Sequence, residues 1–241
     1  MSCLNTVSRR FAFVSCLLVL MTGSASAEEV IDTSPRSGVT LRMLVDHPAE
    51  VRAVALLFPG GHGKVLIQDN GAIKGLKGNF LLRIRDRFIE GGIATAIFDA
   101  PSDHQDKEGL TAGYRATPEH ASDIGKALAS LRERFPGKPV WLVGTSRGST
   151  SVGNAAANPS GSPADGVVMT SSIGVSSVHG NVREFDLAAI KMPALVMHHK
   201  NDGCKLTPPE GSQGIYDDLK GSARRELIIM EGGVEEGNPC Q

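Results

Sequence analysis

The chain has 241 residues, 28 of them glycine, with 25 basic and 26 acidic side chains and a formal net charge of −1. Scattered basic residues at that balance exclude the electrostatic footprint of a protein built for nucleic acid or an anionic membrane surface. Aromatic residues make up only 5%, which argues against a large aromatic-lined groove, and the length suits one domain around one core.

In chain order, Arg9 and Arg10 precede an apolar run from Phe11 to Met21, and Ala25-Ser26-Ala27 forms a small-residue cleavage site. The run is too short for an ordinary membrane-spanning helix. The pattern is that of a secretory signal peptide cut after Ala27. It predicts a secreted or periplasmic protein with no stable membrane anchor after cleavage, and a single domain over residues 28–241. Cys3 and Cys16 leave with the leader. Cys204 and Cys240 remain, an even count in an oxidising compartment, and are expected to pair. Closing so long a loop could stabilise the fold by roughly 4 kcal/mol in the chain-entropy picture.

Val39 to Leu44 reads as a strand, and the apolar run Val51 to Phe58 as a buried one, broken by Pro59-Gly60-Gly61-His62-Gly63. Leu81, Ile84 and Phe88 recur at helical spacing, and Gly91-Gly92 ends that helix. Ile93 to Ile97 is the next strand. Thr117-Pro118 opens a helix with threonine as cap and proline in its first turn; Ala121, Ile124, Leu128, Leu131 and Phe135 mark its buried stripe. Val140 to Val143, Gly166 to Met169, Ala194 to Met197 and Glu226 to Met230 follow as strands, with a short helix ending over 215–219. Short apolar strands alternating with helices predict a mainly parallel sheet with helices on both faces, an α/β fold in three layers. Sites in such sheets form at the carboxyl ends of the strands.

Three segments fall at those ends. Gly144-Thr145-Ser146-Arg147-Gly148 sits between a strand and a small-residue helix, the context in which a serine is lifted on a sharp turn as a nucleophile. The glycine tract after Phe58 can aim backbone N–H groups at an incoming oxygen, or can be a plain glycine-rich loop; Gly61, or His62 as second choice, is expected to complete an oxyanion hole with the N–H of Arg147. In His198-His199-Lys200-Asn201-Asp202-Gly203-Cys204, Asp202 is either a turn aspartate before glycine or the acid that orients a histidine. His198 and His199 read as structural. Tyr114, Arg115 or the loop 172–192 are candidate pocket-lining segments or plain surface loop, and no stretch is long enough for a separate lid domain.

FPGGHG at Phe58–Gly63, GTSRG at Gly144–Gly148 and HHKNDGC at His198–Cys204, in that order and each after a strand, resemble the α/β-hydrolase superfamily from Val39 to Met230. The resemblance implies hydrolysis of an acyl ester, thioester or amide through an acyl-enzyme. Ser146 would be the nucleophile, Asp202 the acid, and Gly61 with Arg147 the oxyanion donors. The partner implied is a small acyl substrate; no cofactor and no metal are called for.

The superfamily order is serine, acid, histidine. All seven histidines here, His47, His62, His104, His120, His179, His198 and His199, precede Asp202. The expected C-terminal histidine loop and closing helix are missing, and the tail from Gly237 to Gln241 reads as the approach to that loop. A truncated enzyme is the first expectation. An inactive homologue that binds a ligand or partner in the same cleft is the second. A displaced base such as His62 or His104 is the third. Loss of the base predicts weak turnover, because triad members act as a unit. No glycine fingerprint for a dinucleotide and no Walker pattern occurs.

Overall fold

The computed structural model describes residues 27–233 and Cys240. The leader up to Ser26, the tail 234–239 and Gln241 lie outside the described residues. Among the described residues no helix is long and apolar enough to cross a membrane.

Eight strands form one open sheet. They are β1 (Ala27–Arg36), β2 (Val39–His47), β3 (Ala53–Phe58), β4 (Ile93–Phe98), β5 (Val140–Ser146), β6 (Gly166–Ser172), β7 (Ala194–His199) and β8 (Arg225–Met230), in the spatial order β1-β2-β4-β3-β5-β6-β7-β8. β1 and β2 pair antiparallel, β2 joins β4 antiparallel, and the pairs from β4 across to β8 are parallel. The mainly parallel α/β sheet expected from the sequence is therefore present.

The central parallel strands are largely apolar because both faces are covered, whereas the edge strand β8 is half exposed. Val54, Leu56, Phe58, Leu142, Val167 and Val196 pack into the larger core, under α4 (Pro118–Arg134) and α5 (Arg147–Ala157), with α6 (Pro209–Asp218) beside β7. Ala55, Leu57, Ile97 and Val143 face the other way. They meet Leu81 of α1 (Phe80–Arg83) and Phe88 of α2 (Arg85–Glu90). The single helix expected around Leu81, Ile84 and Phe88 is thus two short ones, with Ile84 ending the first and capping the second. A short α3 (Ala112–Arg115) precedes α4. Thr117 caps α4 as expected, its Oγ1 accepting from the N–H of His120 at 3.1 Å.

β1 is the strand that the apolar pattern misses. Its sequence AEEVIDTSPR holds few apolar residues, and it is tied down by charge. Arg36 bonds the fully buried carboxylate of Asp123 on α4, Nε to Oδ1 at 2.9 Å, and Glu29 accepts from Arg134 at 2.7 Å.

The carboxyl ends of β3, β5, β6 and β7 converge on one rim. Everything with chemical potential in the sequence reading lies there or just behind it.

Candidate active site

The strand β5 runs straight into α5 at Ser146, and the turn is tight enough to force the backbone. Ser146 has φ 51° and ψ −125°, a region that a side chain occupies only when its surroundings hold it there. Two glycines make that possible. A Cβ on Gly148 would lie 1.9 Å from the carbonyl oxygen of Phe58, and one on Gly144 would lie 2.5 Å from the carbonyl oxygen of Gly148. Helix, turn and neighbouring strand therefore touch backbone to backbone. Ser149 Oγ donates to the Ser146 carbonyl at 2.5 Å, which ties the turn from inside.

The glycine tract after β3 closes on the same point. A Cβ on Gly60 would stand 2.9 Å from the Ser146 Cβ and 3.5 Å from its Oγ, so Gly60 is the backbone against the serine. Gly61 follows with φ +60°. Ser146, Gly60, Gly61, Asp202, Thr207, Cys204 and Cys240 all line one cavity of about 600 Å³, together with Leu76, Gly78, Asn79, Phe80, Thr145 and Ser171. That size suits a small organic ligand. Of the four non-glycine residues with positive φ among the described residues, three (Leu76, Ser146 and Ser171) line it. Such concentration of backbone strain is typical of functional sites.

Across the cavity, Asp202 follows β7 and sits in a side-chain network. His198, at 2% exposure, places Nε2 3.0 Å from Asp202 Oδ2 and Nδ1 2.5 Å from Ser212 Oγ on α6. The amide of Cys204 donates to Asp202 Oδ1 at 2.9 Å, and the Thr207 hydroxyl to Oδ2 at 3.2 Å. Burial alone would push the Asp202 carboxyl up. The bonds from His198, the Cys204 amide and Thr207, with the nearby imidazole charge, hold it below the usual carboxylate range. Cys204 is disulfide-bonded to Cys240, as the cysteine count predicts, and this bond forms part of the cavity wall.

The structure thus brings Ser146, Gly61 and Asp202 to one cavity. Arg147 supplies its backbone at the first turn of α5 and sends its side chain the other way, where it donates to the ring of His179. Burial and then the Arg147 charge push the His179 imidazole down. Among the described residues no histidine bonds the Ser146 hydroxyl. His62 accepts from the amide of Lys64 through Nδ1 at 3.1 Å, and His104 stacks on Tyr114 with ring centroids 3.7 Å apart. Neither lines the cavity among the described residues.

Two expectations need correction. Tyr114 and Arg115 do not line this cavity: they are buried in the core, Tyr114 bonding Asp123 at 2.7 Å and Arg115 bonding Ser151 at 2.6 Å. The loop 172–192 does not line it either; its approach to the site is through His179 and Arg147. Sequence reasoning assigned His198 a structural role without seeing that it grips Asp202; the only signal was its spacing of four residues from the acid at a strand end.

No family model matches the chain, and no curated protein matches it in sequence. Solved structures do match it in fold. A cold-adapted esterase from an Arctic intertidal metagenomic library superposes with a TM-score of 0.61 at 15% identity, covering 86% of this chain and 85% of that one. An esterase of Pyrococcus furiosus gives 0.62 at 14%, covering 86% and 83%. Dienelactone hydrolase of Anabaena variabilis gives 0.61 at 16%, covering 86% of each. These proteins have the α/β-hydrolase fold, and so does this chain.

Proposed function

We propose that this chain carries the acyl-transfer site of a secreted or periplasmic serine hydrolase acting on small acyl esters, with thioesters and amides as chemical relatives. Ser146 Oγ is the nucleophile. The backbone N–H groups of Gly61 and Arg147 receive the oxyanion, and Asp202 is the acid of the catalytic group. The single observation that carries this reading is the strained Ser146 turn, pressed against the glycine tract at the mouth of a cavity that also holds Asp202. Export is supported by the leader pattern and by the Cys204–Cys240 bond, which belongs to an oxidising compartment.

Attack of Ser146 on an ester carbonyl places negative charge on the carbonyl oxygen, which preorganised amides stabilise. The leaving alcohol departs with a proton, and water then cleaves the acyl-enzyme. Among the described residues no histidine bonds Ser146, and with these residues alone its proton passes to solvent. Removing the base of such a triad costs about 10⁶ in kcat where it has been measured, with roughly 10³–10⁴ over water left to the oxyanion hole and binding. The expected turnover is therefore weak.

A second reading, ligand binding without turnover, is favoured by one observation: Asp202 is already occupied by the buried His198. Hydrolysis of an activated acetyl ester separates the two. Weak turnover abolished by Ser146→Ala supports the acyl-transfer site. Binding that is indifferent to Ser146→Ala, with no turnover above background, supports the second reading.

A further inference from the structure

Ser171 stands where strand alternation would not put it. On β6, Val167 and Met169 face the larger core, while Val168 and Thr170 face the other way, into an apolar cavity beside the Ser146 site. Strict alternation would turn Ser171 with Met169 into that core. Instead the ladder slips: Thr145 pairs with Thr170, but Ser146 pairs with Ser172. Ser171 is the extra residue of a bulge, with φ 40°. It lines both the Ser146 cavity and the apolar one. Bulges are rare between parallel strands, and beside active sites they re-aim a side chain.

The arrangement is costly. A serine with a left-handed backbone is strained. The next residue, Ser172, is fully buried, and its Oγ has no hydrogen-bond partner among the described residues, which is unfavourable. The result of both costs is one hydroxyl at the cavity wall, itself without a partner among the described residues. Its place in the sheet says what it meets. Across the rim the strands run β3-β5-β6-β7. The glycine tract after β3 flanks Ser146 on one side, Ser171 of β6 flanks it on the other, and Asp202 after β7 lies beyond. A carbonyl carbon bonded to Ser146 Oγ, with its oxygen turned to the glycine amides, has its other two substituents away from β3. The leaving oxygen must gain a proton, so it belongs towards the acid. Ser171 stands on that side.

We propose that the Ser171 hydroxyl is a further catalytic group, donating a hydrogen bond to the leaving-group oxygen of the ester. This rests on the reading of Ser146 as nucleophile. As Ser146 Oγ bonds the carbonyl carbon and the bond from that carbon to the leaving oxygen breaks, negative charge gathers on the departing oxygen. Ser171 stabilises that charge and keeps its own proton. Water supplies the proton that leaves with the alcohol, and the Ser146 proton passes to solvent. A hydrogen bond to a charged oxygen is roughly twice as strong as a neutral one. The contribution of Ser171 therefore grows with the charge that the leaving oxygen has to carry.

The test compares turnover of phenyl acetate and of 4-nitrophenyl acetate by the full chain, by Ser171→Gly and by Ser171→Asn, each corrected for the Ser146→Ala background. The nitro group spreads the departing charge, so that ester draws little on Ser171. Ser171→Gly removes the hydroxyl and accepts the positive φ without strain. Its turnover of phenyl acetate should fall about tenfold or more, and that of 4-nitrophenyl acetate by less than about twofold. Its melting temperature should stay the same or rise. Ser171→Asn tolerates the left-handed backbone and keeps a donor, and should recover part of the phenyl acetate rate. Equal losses for both esters, no loss for either, or a loss that comes with a lower melting temperature in Ser171→Gly would each overturn the assignment. So would absence of turnover of both esters by the unsubstituted chain. Fluorophosphonate labelling of that chain separates the two levels. Labelling at Ser146 with no difference between the esters removes the Ser171 contact alone, whereas absence of labelling removes the nucleophile reading beneath it.

Discussion

On the β5 side of the cavity, backbone holds the geometry; on the β7 side, side chains hold it. Ser146 is placed by glycines so close to carbonyl oxygens that no other residue fits, and its hydroxyl makes no hydrogen bond among the described residues. Asp202 is placed by His198, Thr207, the Cys204 amide and the nearby disulfide, which give Oδ2 two hydrogen bonds and Oδ1 one. A nucleophile must be held yet left free to react, which backbone contact achieves. An acid held by three hydrogen bonds is a fixed electrostatic element.

This contrast can be broken most violently at Gly148. Gly148→Ala puts a methyl group against the Phe58 carbonyl, and neither backbone can yield cheaply. The expected loss exceeds about 4 kcal/mol, visible as failure to fold or a collapse in thermal stability. Gly78→Ala is the control on the same cavity: nothing lies within 4 Å of its added Cβ, and stability should hold within about 0.5 kcal/mol.

On the opposite side, cutting the covalent link comes next. Reduction, or Cys240→Ser, removes a constraint between residues 36 apart in sequence. The expected cost is up to about 4 kcal/mol, read by chemical denaturation with and without reductant. Equal midpoints would show that this bond shapes the cavity wall without stabilising the fold.

Asp202→Asn sharpens the side-chain half of the comparison. Loss of the charge-assisted bonds should cost about 2 kcal/mol at neutral pH. The sign with pH follows from the lowered carboxyl. Its stabilisation is complete above the unfolded value of about 4 and is lost as pH falls through the lower folded value. Urea melts should therefore show the gap between the chain and Asp202→Asn closing towards pH 3. A constant gap would mean the carboxylate contributes shape rather than charge.

The smallest effect lies behind the site. His120 is fully buried, with Nε2 2.8 Å from Ser151 Oγ and Nδ1 unpartnered among the described residues. Burial, then the charge of Arg115, hold it well below the ordinary imidazole value. The unfolded chain binds that proton first, so stability should begin to fall as pH drops below about 6.5, by at most about 1.4 kcal/mol per pH unit from this group. His120→Gln should flatten that slope.

The same division explains what the sequence disclosed. Glycines at 60, 61, 144 and 148 and a serine between strand and helix are local, spaced signals, so the nucleophile side and the parallel strands were legible. The grip of His198 on Asp202 depends on β7 and the loop after it folding together, and a histidine at a strand end carries no mark of its partner. β1 was invisible for a related reason: it is held through Arg36, Arg134 and their acids rather than through an alternating apolar face. Ile84 carried the right helical spacing yet ends one short helix and starts another. Arg115 and Tyr114 look like surface loop residues until Ser151 and Asp123 are seen to receive them.

Mass-mapped labelling with a fluorophosphonate probe tests the core of this account most directly, because it reads the reactivity of one hydroxyl. The account predicts slow accumulation of a single adduct, confined to Ser146 and absent after Ser146→Ala. An adduct that never forms, or that forms on another residue, would contradict it.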